Sequence, residues 1–139
     1  MSQRIHLDAN VILRFLRNDD PNQSPTAATL FQKAATGKAP LFVSAVTINE
    51  VFFAFTSFYK LSESETAKKL LPFVRTGIAE FEHEEALLDA LQRVIAANVD
   101  FGDAFLAATA VAQKESVASF DRDFRKFKDV KLYDFDEKS

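Results

Sequence analysis

The chain contains no cysteine and no tryptophan, and only two histidines, one methionine, three glycines and four prolines among its 139 residues. Without cysteine there is no disulfide framework, no thiolate zinc site and no thiol nucleophile, and nothing ties the protein to an oxidising compartment. Two histidines do not make a histidine-rich metal site. Long apolar runs are missing as well. The opening MSQRIHLDANVILRF reaches Asp8 before any apolar stretch of signal-sequence length, and no segment approaches the roughly 20 apolar residues that span a bilayer. These absences read as a cytoplasmic protein that makes no use of a membrane.

What the sequence does hold is core material. It is 47% hydrophobic and 27% charged, with fifteen Phe, which excludes disorder as its main state. A chain of this length is expected to form one domain over residues 1–139, burying roughly two-thirds of the surface it exposes when unfolded. The net charge of −3 comes from 17 Lys and Arg against 20 Asp and Glu, and taken alone it argues against a nucleic-acid surface, which is usually basic. With four acids gathered in one metal site, the remaining 16 would stand against 17 bases, and a bound divalent cation would reverse the local sign.

Apolar periodicity alternates between short runs and helical stripes. Strands are expected at Arg4–Asp8, from Leu41 through LFVSAV, at Ile78–Phe81, at Val117–Phe120 and near Val130. Helices are expected over Val11–Leu16, Ala27–Ala35 and Thr47–Lys60, from Glu63 to about Val74, and over Glu84–Ala97 and Asp100–Lys114. The stretch Asn18–Thr26, with two prolines, reads as a loop. Ser62 and Glu65 have capping-box spacing, while Pro72 is placed to bend or end the helix that they start. Short apolar strands recurring between helices predict an α/β fold, three layers in α/β/α order around a short, mainly parallel sheet. Ligands in such folds bind beyond the carboxyl ends of the strands.

That rule gives the acids meaning. Asp8 closes the first strand and Asp121 follows the fourth, so both are expected at one edge of the sheet, while Asp103 lies in the first turn of one helix and Glu50 one turn into another. Four carboxylates in one place repel one another and raise some of their pKa values unless a cation offsets them. Mg²⁺ or Mn²⁺ prefers such oxygen donors and can support phosphodiester hydrolysis there. Each acid also has a structural role open to it. Asp8 could cap the first helix, Asp100 and Asp103 could complement a helix dipole, and Asp121 and Asp123 could cap and start the segment FRKFK, the role preferred for Asp123. Glu50 sits among Ile48, Val51, Phe52, Phe53, Ala54 and Phe55, so its helix is apolar nearly all round and the carboxylate is expected to be buried.

Taken in order, IHLDANVILRFL with Asp8 and Asn10, FVSAVTINEVFF with Glu50, VDFGDAFLAATA with Asp103 and VASFDRDFRKF with Asp121 resemble the motifs of the PIN-domain ribonucleases. The likeness is greatest to the small VapC-like members of toxin–antitoxin pairs, and it spans nearly the whole chain. It implies a metal-dependent endoribonuclease cutting single-stranded or looped RNA through a water activated by Mg²⁺ or Mn²⁺. Asp8, Asp103 and Asp121 would be the metal ligands and Glu50 a fourth catalytic acid, with Asn10, Asp100, Ser119 and Asp123 supporting. It also implies a homodimer and a cognate antitoxin whose amphipathic segment fills an apolar groove. The Phe-rich segment VFFAFTSFY and Phe15 supply more aromatic surface than one small sheet covers.

RNA contacts are less legible. Arg122, Arg125, Lys126 and Lys128 interleave with Phe124 and Phe127, which suits phosphate pairing beside base stacking. It suits equally an amphipathic segment with its Phe residues turned to the core, and that reading is preferred. Arg14, Arg17, Lys68, Lys69 and Arg75 are further candidates for phosphate contact. Two other functions compete. A haloacid-dehalogenase-like phosphatase would want a second Asp where this chain has Asn10, and a non-catalytic RNA- or protein-binding module would keep the acids for structure alone.

Overall fold

The computed structural model describes residues 3–136; residues 1–2 and 137–139, the ends of the expected 1–139 domain, lie outside the described residues. Strand β1 (Ile5–His6) leads through α1 (Ala9–Arg17) and α2 (Gln23–Ala35) to β2 (Leu41–Val43). Next come α3 (Ala45–Phe53), which winds on as a π-helical turn over Ala54–Phe58, then α4 (Glu63–Arg75) and β3 (Glu80–Phe81). Helices α5 (Glu84–Ala97) and α6 (Phe101–Ala112) precede β4 (Ser116–Val117), a short 3-10 helix (Arg122–Lys126) and β5 (Lys131–Leu132).

All strand pairs are parallel. Ile5 lies opposite Leu41, Phe42 opposite Glu80, and Ser116 opposite Lys131. Parallel neighbours need a crossover, and the helices between the strands supply it, giving the expected three-layer α/β/α architecture. The ladder falls into two parts, a three-stranded sheet in the order β1-β2-β3 and a two-stranded sheet of β4 and β5. Helices α4, α5 and α6 pack side by side, α1 packs on α2, and α3 touches α1, α4 and α6. One apolar cluster joins them. Ile12, Val43, Ile48, Leu70, Leu87, Leu91 and Val94 are fully buried within it, and Phe31 meets Phe15 and Phe73 ring to ring. None of the helices among the described residues is long and apolar enough to cross a membrane.

Several boundaries differ from expectation, each for a local reason. Helix α2 begins at Gln23 rather than Ala27, because the Asp20 carboxylate accepts from the N–H groups of Asn22 and Gln23, and Pro25 in the first turn has no intrahelical bond to lose. The second strand ends at Val43 and its helix starts at Ala45, since the Ser44 hydroxyl, not Thr47, caps it by accepting from the Thr47 N–H at 3.2 Å. Pro72 neither ends nor breaks α4, which continues to Arg75, although its nitrogen has no hydrogen to donate to the Lys68 carbonyl. The Ser62–Glu65 capping box forms in both directions, at 3.0 and 3.1 Å. The fourth strand stops at Val117, so Ala118, Ser119 and Phe120 form a connection before Asp121.

Candidate functional site

Helix α6 presents one acid from a closely packed base. Ala104, Ala107 and Ala108 are buried against the core, and these small side chains let the helix backbone sit deep, with Asp103 in its first turn and only partly exposed. Asp100 caps the same helix, its carboxylate accepting from the Gly102 N–H at 3.2 Å, so the helix-terminus role foreseen for Asp100 is real. From the connection after β4, Asp121 caps the 3-10 helix by accepting from the Asp123 N–H at 2.9 Å, while its own N–H donates to the Ser119 hydroxyl at 2.9 Å. The Ser119 side chain thus holds the Asp121 backbone, and the Asp121 side chain holds that of Asp123.

These elements bring Asp103, Asp121 and Asp123 together, with one carboxylate oxygen of each within 4.8 Å of the others. The Asp103 carboxyl is pushed above the usual aspartate range, first by burial and then by the charges of Asp100, Asp121 and Asp123. Among the described residues no donor hydrogen-bonds to the Asp103 carboxylate, and the one basic side chain paired within the trio is Lys126, 3.4 Å from Asp123 at a half-exposed position. Three oxygen donors, with one half-exposed lysine at Asp123 as their counter-ion among the described residues, suit a hard divalent cation.

The role preferred for Asp123 is seen, since it stands in the first turn of the 3-10 helix, and its carboxylate also lies close to those of Asp103 and Asp121. Its signal was present in the sequence as Asp-x-Asp, because a first acid that caps the turn carries the second to the same side.

Asp8 and Glu50 line a common cavity. Asp8 occupies the N-cap position of α1, yet its side chain makes no capping bond, so the capping alternative does not account for its carboxylate. It is exposed, and with Asn10, Asn49, Glu50 and Phe53 it lines a cavity of about 400 Å³. It also borders a larger groove of about 960 Å³ between α1 and α2, lined by Arg14, Gln23, Thr26 and Lys33 among others. No hydrogen bond joins Asn10 to Asp8 among the described residues, and Asp8 is not one of the acids that approach within 4.8 Å of one another. Asp103 and Asp121 thus stand in one acidic group, and Asp8 and Glu50 line one cavity.

Glu50 corrects a second expectation. Its carboxylate is exposed, because the outer face of α3 is itself apolar, with Val46 and Phe53 exposed on either side of it. An apolar surround in sequence did not mean burial. Two further acids went unnoticed. Glu63 accepts from the Phe101 N–H at 3.3 Å and is pushed above the usual glutamate range by burial and by the Asp100 charge. Glu82 accepts from the Ala45 N–H at 2.9 Å, fixing the start of α3. Neither belongs to a motif, so only the tertiary structure reveals them.

The basic candidates divide in the same way. Phe124 and Phe127 are buried, with Phe124 only 2% exposed, so they serve the core and not base stacking, while Arg122, Arg125, Lys126 and Lys128 face solvent. Arg14 and Arg17 both bond to Asp19, and the Arg17 guanidinium lies 3.5 Å over the Tyr59 ring. Lys68, Lys69 and Arg75 are exposed on α4.

Compared with known families, residues 5–130 match the model of the PIN domain. No individual curated protein matches the chain. Since that match runs from β1 to the threshold of β5 and takes in all the acids described above, the chain belongs to the PIN-domain family and has its nuclease-type fold.

Proposed function

We propose that this protein is a divalent-metal-dependent endoribonuclease that hydrolyses phosphodiester bonds of single-stranded or looped RNA. The observation that carries the reading is the approach of Asp103, Asp121 and Asp123 to within 4.8 Å, with no arginine or lysine among the described residues bonded to Asp103 or Asp121. Asp103 and Asp121 would hold Mg²⁺ or Mn²⁺, with Asp123 completing their side of the site. Asp8 would be a further ligand, directly or through water, and Glu50, which shares its cavity, would orient the water. When bound, the cation supplies an acidified water and offsets charge on the phosphate.

The chain's own residues do the rest. Asp103 stays fixed because α6 is packed tightly behind it, and Asp121 stays fixed because Ser119 holds its backbone. Asn10 borders the same cavity as Asp8 and Glu50 and is available for a hydrogen bond to substrate, while Asp100 adds negative charge that favours cation binding. Exposed Arg122, Arg125 and Lys128 contact phosphates.

The biological setting proposed is the toxin half of a type II toxin–antitoxin pair, acting as a homodimer. The groove between α1 and α2 supports it, because an antitoxin segment lying there would cover Asp8. The exposed Val46, Phe53 and Phe58 offer apolar surface to a second copy.

The test is incubation of purified protein with total RNA and, separately, with a small phosphomonoester, in Mg²⁺, Mn²⁺ or EDTA. RNA should be cut only with metal and the monoester left intact. Intact RNA under every condition would return the fold to a binding role, and monoester hydrolysis would favour a phosphatase.

A further inference from the structure

Phe120 is 90% exposed although it is a large apolar side chain one residue before Asp121. Its ring stacks on that of Phe135, with centroids 4.7 Å apart and planes 14° from parallel, and Tyr133 meets Phe135 edge-on at 5.2 Å. One face of Phe120 is therefore supported and the other is open to solvent. Its position is held, since the Ser119 hydroxyl binds the Asp121 N–H on one side and Asp121 caps the 3-10 helix on the other. Neighbouring Arg122, Arg125, Lys128 and Lys131 are exposed and make no ion pair among the described residues.

An open aromatic face on a braced backbone, with exposed cations on the segment that follows it, suits a chain that carries both bases and phosphates. We infer that Phe120, backed by Phe135, is a stacking platform for an unpaired base of the RNA, placed next to the acid trio so that the adjoining phosphate reaches Asp103 and Asp121. The inference rests on the nuclease reading and names a residue that would give it its preference for unpaired strands. A paired base cannot leave its neighbours to stack on Phe120, whereas a base in a loop or single strand can.

The absence of tryptophan gives a clean probe. Phe120→Trp places the protein's only indole on the platform, and titration with a short single-stranded RNA should quench its emission. Fluorescence anisotropy of the same labelled RNA should show Phe120→Ala binding about 10-fold more weakly than wild type. Gln92→Ala, which alters an exposed side chain on α5, should bind unchanged. On an abasic strand of the same length the difference between Phe120→Ala and wild type should disappear.

All binding is measured in the Asp103→Asn background so that no strand is cut. If that background still cleaves, the nuclease reading fails independently of the platform. Unquenched tryptophan together with wild-type affinity of Phe120→Ala would overturn the platform while leaving the nuclease intact. A tryptophan signal that follows protein concentration without RNA would overturn it in favour of a protein interface.

Discussion

Replacing Asp103 by Asn should make the metal-free protein more stable, not less. Asp103 faces two carboxylates within 4.8 Å, and two unit charges at that distance repel by about 1 kcal/mol in water and by about 3.5 kcal/mol at an effective dielectric of about 20. The exposure of Asp121 places the value toward the lower end. The helix terminus returns about 0.3–1 kcal/mol to a charged Asp103, yet its pKa is raised, so the unfavourable terms win. A net gain of about 1–2 kcal/mol in Asp103→Asn corresponds to roughly 3–7 °C for a chain of this size.

Because the folded carboxyl titrates above its unfolded value, ionising it costs stability. That cost is fully present above the folded pKa and disappears as pH falls through it toward the ordinary aspartate range. Thermal unfolding in EDTA, followed by circular dichroism, should therefore show the variant ahead of wild type at neutral pH and level with it near pH 3. With Mn²⁺ present the order should close or reverse, because wild type gains about 1.4 kcal/mol at tenfold saturation of its site and the variant gains little. A variant less stable than wild type at neutral pH, or one whose advantage ignores pH, would refute the picture of an uncompensated acid cluster.

Other substitutions separate structure from chemistry. Asp8→Ala should change stability by no more than about 0.5 kcal/mol in urea unfolding, since no capping bond is lost, while cleavage of RNA falls. Phe124→Ala should cost about 3–5 kcal/mol in the same assay, because its ring fills the core. Ser119→Ala should leave the fold intact and weaken Mn²⁺ binding by calorimetry about 10-fold, as loss of a residue that orients a metal ligand does.

Much of the fold was legible because helices announce themselves over many residues. The stripe of Leu87, Leu91 and Val94 in α5 and the Ser62–Glu65 box at α4 appear where periodicity and capping place them. The strands were harder, since two or three residues carry almost no period, and their ends were overrun at Val43 and Val117. For the site, strand-end and helix-start positions sufficed to select Asp103 and Asp121, while the relation of Asp8 and Glu50 to them depends on how α1, α3 and α6 pack. The sidedness of single aromatics was the least legible property. Phe124 and Phe127 turn inward and Phe120 outward within eight residues, because the 3-10 helix resets which side faces the core.

The decisive observation is RNA cleavage and Mn²⁺ occupancy followed in one titration, with wild type beside folded Asp103→Asn and Asp121→Asn. Cleavage should rise in step with Mn²⁺ binding, stop on addition of EDTA, and be absent from both variants together with the bound ion. Cleavage that persists in EDTA, or that survives in a variant no longer binding Mn²⁺, would show that the acid trio is not the metal-dependent centre of this nuclease.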